Sequence, residues 1–201
     1  MTIIEMMTSI AIMIIAIAGF TLLFSRSWRM NAYTIAMGQS SLTTSQGVTT
    51  MVNYLRKVRQ GDDGSYPIIS ASDNDLVAFS DYNKDGITER LHFYLQNKQI
   101  KMGIASPANS MPKTYPAGDQ TTIVLASSIV NGTNDHLFSY FNNNYPSDTV
   151  NNPVSTPANV AVIRLIKIFI KMNIDPNKAP NNIQTESFVE LRNLNDYDRI
   201  K

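Results

Sequence analysis

The chain has 201 residues, 43% hydrophobic and 16% charged, with a formal net charge of +1. That balance excludes a strongly cationic nucleic-acid or anionic-lipid binder. Two His and no Cys leave little material for zinc, haem or thiol chemistry, and an exported chain of this kind must rest on its core, on subunit packing or on a hard cation rather than on disulfides.

The first element is an apolar run from Met1 to Phe24 whose one charged side chain is Glu5. No charge separates Glu5 from Arg26, and a helix over that interval is about 29 Å long, one hydrocarbon core thick. A carboxylate at the edge of such a segment is costly in lipid unless a cation pairs with it. An N-terminal α-amine, on this chain or an adjacent one, is the obvious partner. A cleaved secretory signal is disfavoured, because no basic residue precedes the run and no small-residue cleavage site ends it. A plain membrane anchor and the stem of a polymerising subunit both fit what is left.

Met1, Thr2, Ile3, Ile4 and Glu5, followed by a long apolar helix, resemble position by position the mature N-terminus of type IV pilins and pseudopilins. The resemblance implies that Met1 is the site of N-terminal processing and methylation. It implies that Glu5 sets subunit register against a neighbour's N-terminal charge, and that Ile3, Ile4, Ile10, Ile14 and Leu22 lie in a filament core. The implied partners are further copies of the chain, other pilins, an assembly platform, an assembly ATPase and a prepilin peptidase. The implied location is the cytoplasmic membrane with the domain outside, then a cell-surface filament. Arg26 and Arg29 on the far side of the span would by themselves favour a cytoplasmic domain. Pilin precursors answer this with a short basic leader, so the chain is expected to begin at the processed residue. Many pilins carry a Pro near position 22; Leu22 stands there, and Gly19 is the nearest weak point.

Residues 25–60 continue the helix on the spacing of Trp28, Ala32, Ile35, Leu42, Val48, Val52, Leu55 and Val58. No charged residue falls between Met30 and Leu55, which suits a helix packed among others. Basic residues before Gly61 mark the expected helix end. Beyond it, Leu76–Ser80, Thr88–Leu95 and Gln99–Met102 read as an antiparallel meander turning at Asn97-Lys98, with further strands at Thr121–Val130 and Leu137–Phe141. Residues 103–120 and 142–158 read as long loops. Val160–Met172 places Arg164, Lys167 and Lys171 at helical spacing among mostly β-branched residues and is assigned to a strand; Gln184–Leu194 supplies the last one. The expected fold class is α+β: a helix over 1–60, its first 25 residues an anchor or filament core, and an antiparallel sheet domain over 61–201. Asp81–Tyr94 and the closing Ser187–Asn193 resemble segments of larger pseudopilins and minor pilins.

One constellation carries metal chemistry. Asp81, Asn83, Asp85 and Glu89 put oxygen ligands at alternate positions around Gly86, like the first half of an EF-hand loop, which makes Ca²⁺ the candidate cofactor. His92 occupies the twelfth position in place of Glu, and the same residues also make an ordinary polar turn between two strands. Ser110-Met-Pro-Lys113 matches a Ser-x-x-Lys spacing but sits in a Pro-rich loop without partner motifs. Asn131-Gly-Thr133 is a sequon; His92 and His136 read as structural. No nucleic-acid platform and no enzyme is expected. The function expected is a structural subunit of a type IV pilus or pilus-like filament. A minor pilin, a secretion-system pseudopilin or a monomeric membrane-anchored binding protein are the alternatives.

Overall fold

The computed structural model describes residues 2–178 and 181–194. One helix, α1, runs Ile3–Leu55. The chain divides into two compact units, Met1–Gln39 and Ser40–Lys201, so the first part of α1 belongs to one unit and its last part to the other.

In the second unit the α+β class holds, with the β-residues divided between two antiparallel sheets. The larger follows chain order through β1 (Ile68–Ala71), β2 (Asp75–Ser80), β3 (Glu89–Gln96), β4 (Gln99–Ala105) and β5 (Thr121–Ala126). The smaller consists of β6 (Phe138–Phe141), β7 (Leu165–Met172) and β8 (Ile183–Glu190). The expected meander is present as β2–β3–β4. Its turn pairs Gln96 with Gln99 and places Asn97 and Lys98 at φ 53° and 58°, the left-handed pair that a tight hairpin requires. β1 was not anticipated from the sequence.

Several boundaries differ from expectation: β4 runs on to Ala105 past the expected Met102, and β5 stops at Ala126 short of the expected Val130. α1 ends at Leu55, five residues before the expected end at 60, and its closing turn tightens through Lys57 N to Tyr54 O and Val58 N to Leu55 O. The chain is diverted because Val58 is buried and Arg59 N donates to Phe79 O on β2. The basic residues therefore follow the helix and do not cap it. The strand expected from Val160 starts at Leu165. Before it, Val160–Val162 form a 3-10 turn capped by Asn159, whose side chain accepts from Ala161 N. Over β7 the burial alternates strictly, Ile166, Ile168, Ile170 and Met172 inward with Lys167 and Lys171 outward, so a spacing of four serves a strand face as well as a helix. β8 stops at Glu190, and a second 3-10 turn takes Arg192–Leu194.

The end of α1 joins the core. Val48, Met51, Val52 and Leu55 are buried, and Thr44 Oγ1 lies 3.5 Å from Met172 Sδ on β7. Gly47 meets β5 so closely that an added Cβ would collide with the Leu125 carbonyl. The two sheets are tied by polar bonds from the β1–β2 turn. Tyr140 Oη donates to Ser72 O at 2.7 Å, and Leu137 N donates to Asn74 Oδ1 at 3.1 Å. Burial raises the Tyr140 hydroxyl far above the ordinary tyrosine range, so it remains a donor.

Gly47→Ala should therefore destabilise the second unit by about 1–3 kcal/mol, even though Ala gains roughly 1 kcal/mol of helix propensity. Gly38→Ala, whose added methyl meets nothing within 4 Å, should cost nothing. Denaturant melts of the two variants in detergent check the difference.

Candidate functional site

From Ile3 to Phe24, α1 is apolar on every side, and its residues are exposed all round. Ile3 is 84% exposed, Ile4 71%, Ile10 48%, Ile14 62% and Leu22 63%. Its most apolar window has a mean hydropathy of 2.3, and none of it is buried within the chain. By length and composition the helix can cross a membrane. An amphipathic helix would show one apolar stripe; here Ile, Met, Leu and Phe cover the whole circumference, as in helices surrounded by lipid or by other helices.

The few polar groups of this run are satisfied within it. Thr8 Oγ1 and Ser9 Oγ both donate to Glu5 O, at 3.0 and 2.8 Å, and Thr21 Oγ1 donates to Ile17 O at 2.8 Å. Such back-bonding leaves no hydroxyl demanding water. Thr2 N donates to Glu5 Oε2 at 2.7 Å, while Glu5 N donates to Thr2 Oγ1 at 3.4 Å. This reciprocal pair is a capping box, which satisfies two N–H groups at the helix start and places a negative charge at its positive end. The signature Thr-x-x-Glu is present in the sequence, where Glu5 reads as the partner of an N-terminal α-amine on this chain or an adjacent one. Met1, the expected processing site, lies outside the described residues.

Farther along, the expected apolar stripe divides. Val48, Val52, Leu55 and Val58 are buried in the second unit, while Trp28, Ile35 and Leu42 are exposed at 66%, 55% and 67%.

The acidic constellation forms the β2–β3 loop and is closed by its own backbone. Asp81 accepts from Lys84 N and Gly86 N, and Asp85 accepts from Ile87 N and Asn83 Nδ2. Buried Glu89 accepts from Tyr82 N at 2.8 Å. Arg59 braces the loop from outside, donating to Thr88 Oγ1 and Gly86 O, each at 2.7 Å. Lys84 at φ 64° and Gly86 at φ 91° supply the left-handed backbone that wraps N–H groups around the carboxylates. Among the described residues no three His, Asp or Glu side chains gather as a metal cluster. Desolvation, with repulsion from Asp85 and Asp81, raises the Glu89 carboxyl above its ordinary 4.5.

The remaining motifs are placed apart from this loop. Ser110 is exposed on the β4–β5 connection, not at a helix start. The sequon Asn131 donates from Nδ2 to Asp135 O and Phe169 O and accepts from Lys171 N, so a glycan on that nitrogen would break at least one of these bonds. His92 stands between Asp75 and Asp119, at 2.6 and 3.0 Å, and His136 lies 3.3 Å from Asp73. His92 ties the β4–β5 loop to strands β2 and β3, and His136 ties its own loop to the β1–β2 turn.

No known protein-family model matches the chain, and no curated protein or solved structure does so either.

Two outcomes follow for the acidic loop. Since the folded-state pKa of Glu89 lies above its unfolded value, its contribution to stability is fully present below that unfolded value and is lost as pH rises through the raised one. Glu89→Gln keeps the acceptor for Tyr82 N; it should raise the melting temperature at neutral pH and match the parent below about pH 4. Because the loop holds itself, chelator and added Ca²⁺ should both leave the melting curve of the parent unchanged. A bound cation at a hundredfold excess over its Kd would instead add about 2.7 kcal/mol.

Proposed function

We propose that the chain is a structural subunit of a type IV pilus or pilus-like filament, polymerising through the first part of α1. The observation that carries this reading is the run Ile3–Phe24, exposed on all sides, with Glu5 as its one charge. The opening Met1-Thr2-Ile3-Ile4-Glu5 and the α+β class support it.

The mechanism is assembly rather than catalysis. Before assembly, Ile3–Phe24 holds the subunit in the cytoplasmic membrane with the domain outside. A prepilin peptidase exposes and methylates the N-terminus, and an ATPase with its platform protein extracts the subunit. Leaving lipid would strand the apolar surface in water, so stems pack against one another with Ile3, Ile4, Ile10, Ile14 and Leu22 in the shared core. Glu5 enters this core already bonded to Thr2 N, which offsets part of its desolvation. The N-terminal charge of a neighbouring copy supplies the rest and fixes axial register.

The two roles of Glu5 separate by substitution. Glu5→Gln retains an acceptor for Thr2 N, since Gln also serves a capping box, but removes the charge. Glu5→Ala removes both. Both variants should remain in the membrane and should lose surface filaments to a similar degree, counted by electron microscopy of sheared cells. Normal filaments from Glu5→Gln with loss from Glu5→Ala would reduce Glu5 to a cap. Normal filaments from both would remove the register role.

A further inference from the structure

Phe20, Phe24 and Trp28 recur every four residues on α1 and stack in sequence, with centroids 6.2 Å apart at both steps. They are exposed at 70%, 58% and 66%. Arg26 and Arg29, the first cations of the chain, stand at the same height and are exposed too. At 3.6 residues per turn, Arg29 lies about 100° and Arg26 about 160° round the helix from Trp28. The aromatics and the cations thus occupy opposite sides of one band.

The position of this band along the helix is matched to a bilayer. From Ile3 to Phe24 the helix rises about 32 Å, close to a hydrocarbon core of about 30 Å. Trp28 lies about 6 Å beyond Phe24, inside a headgroup layer that adds roughly 5–8 Å on each side. Indole combines an apolar body with one N–H donor, which suits that layer, and guanidinium groups pair with phosphate oxygens there.

We propose that Phe24 and Trp28, with Arg26 and Arg29, form a collar that docks in the phospholipid headgroup layer, continued into the hydrocarbon by Phe20, and sets the depth of α1 in the membrane. The inference rests on the membrane-bound stage proposed above. It assigns the ladder to lipid, not to stacking on a second helix, because it coincides with the end of the apolar run and with the first cations. Extraction into a filament must then release headgroup contacts as well as hydrocarbon.

Trp28 is the one Trp of the chain, so its emission reports this band without background. The full chain is reconstituted at low density in phosphatidylcholine–phosphatidylglycerol vesicles carrying lipids brominated at different depths. Emission should be blue-shifted from its position in water, quenched most by bromines nearest the headgroups and least by those at the chain ends. Arg26→Leu with Arg29→Leu should shift the strongest quenching to deeper bromines at unchanged helicity. A vesicle-bound chain with water-like emission, with strongest quenching at the bilayer centre, or with emission that changes with protein density would overturn the collar alone. An unchanged quenching profile in the double variant would remove the arginines from it. A chain that fails to bind vesicles would overturn the membrane stage and the collar together.

Discussion

Water cannot be the final surroundings of the first part of α1. Fourteen large apolar side chains between Ile3 and Phe24 are exposed, from Ile3 at 84% to Ile10 at 48%. Covering each is worth roughly 1.5–3 kcal/mol, a total above about 20 kcal/mol, whereas an ordinary domain is held together by about 5–15 kcal/mol. No arrangement that leaves this surface wet can compete with one that covers it. Lipid and other copies of the helix are the two coverings that suit a surface apolar all round. The proposed function uses each in turn.

The same helix meets a different environment at its other end, where Val48, Met51, Val52 and Leu55 are built into the core of the second unit. There one face of the helix is selected, and Gly47 allows it to approach β5. Between Ile3 and Phe24 no face is selected, and the polar atoms are turned inward onto the helix backbone through Thr8, Ser9 and Thr21. Glu5 combines both requirements. It caps the helix through Thr2, yet keeps a charge that hydrocarbon tolerates poorly. A helix needing only a cap could use Gln at that position; the charge adds attraction to the positive end of the helix, and the proposed function gives it a further partner in a neighbouring copy.

Much of the fold was legible because its signals are local. The apolar run, the hairpin at Asn97-Lys98 and the alternation in β7 each follow from a few neighbouring residues. What was not legible depends on distant partners. β1 is a four-residue strand, Ile68–Ala71, that exists as an edge against β2. The helix ends at Leu55 because Arg59 pairs with Phe79, twenty positions along the chain, rather than at a breaker in its own sequence. The joining of the two sheets likewise depends on distant bonds such as Tyr140 to Ser72. At the candidate site, the spacing of Asp81, Asn83, Asp85 and Glu89 identified a turn and a set of oxygens. Which hydrogens those oxygens would meet required the positive φ at Lys84 and Gly86. The Thr2–Glu5 cap is legible as Thr-x-x-Glu, a motif that needs no partner beyond its own four residues.

In the proposed function, copies of this helix cover one another outside the membrane. The chain has no Cys, so thiols placed in the stem report contacts without background. The most direct measurement is oxidative cross-linking of an Ile10→Cys, Leu22→Cys double variant in sheared surface material and in membranes, read on denaturing gels. Two thiols about 18 Å apart along each helix allow chains of cross-links to form. Filament packing through the stem should give a ladder of multimers from the surface fraction and chiefly monomer from the membrane. Monomer alone, with all of the protein retained in the membrane, would contradict it.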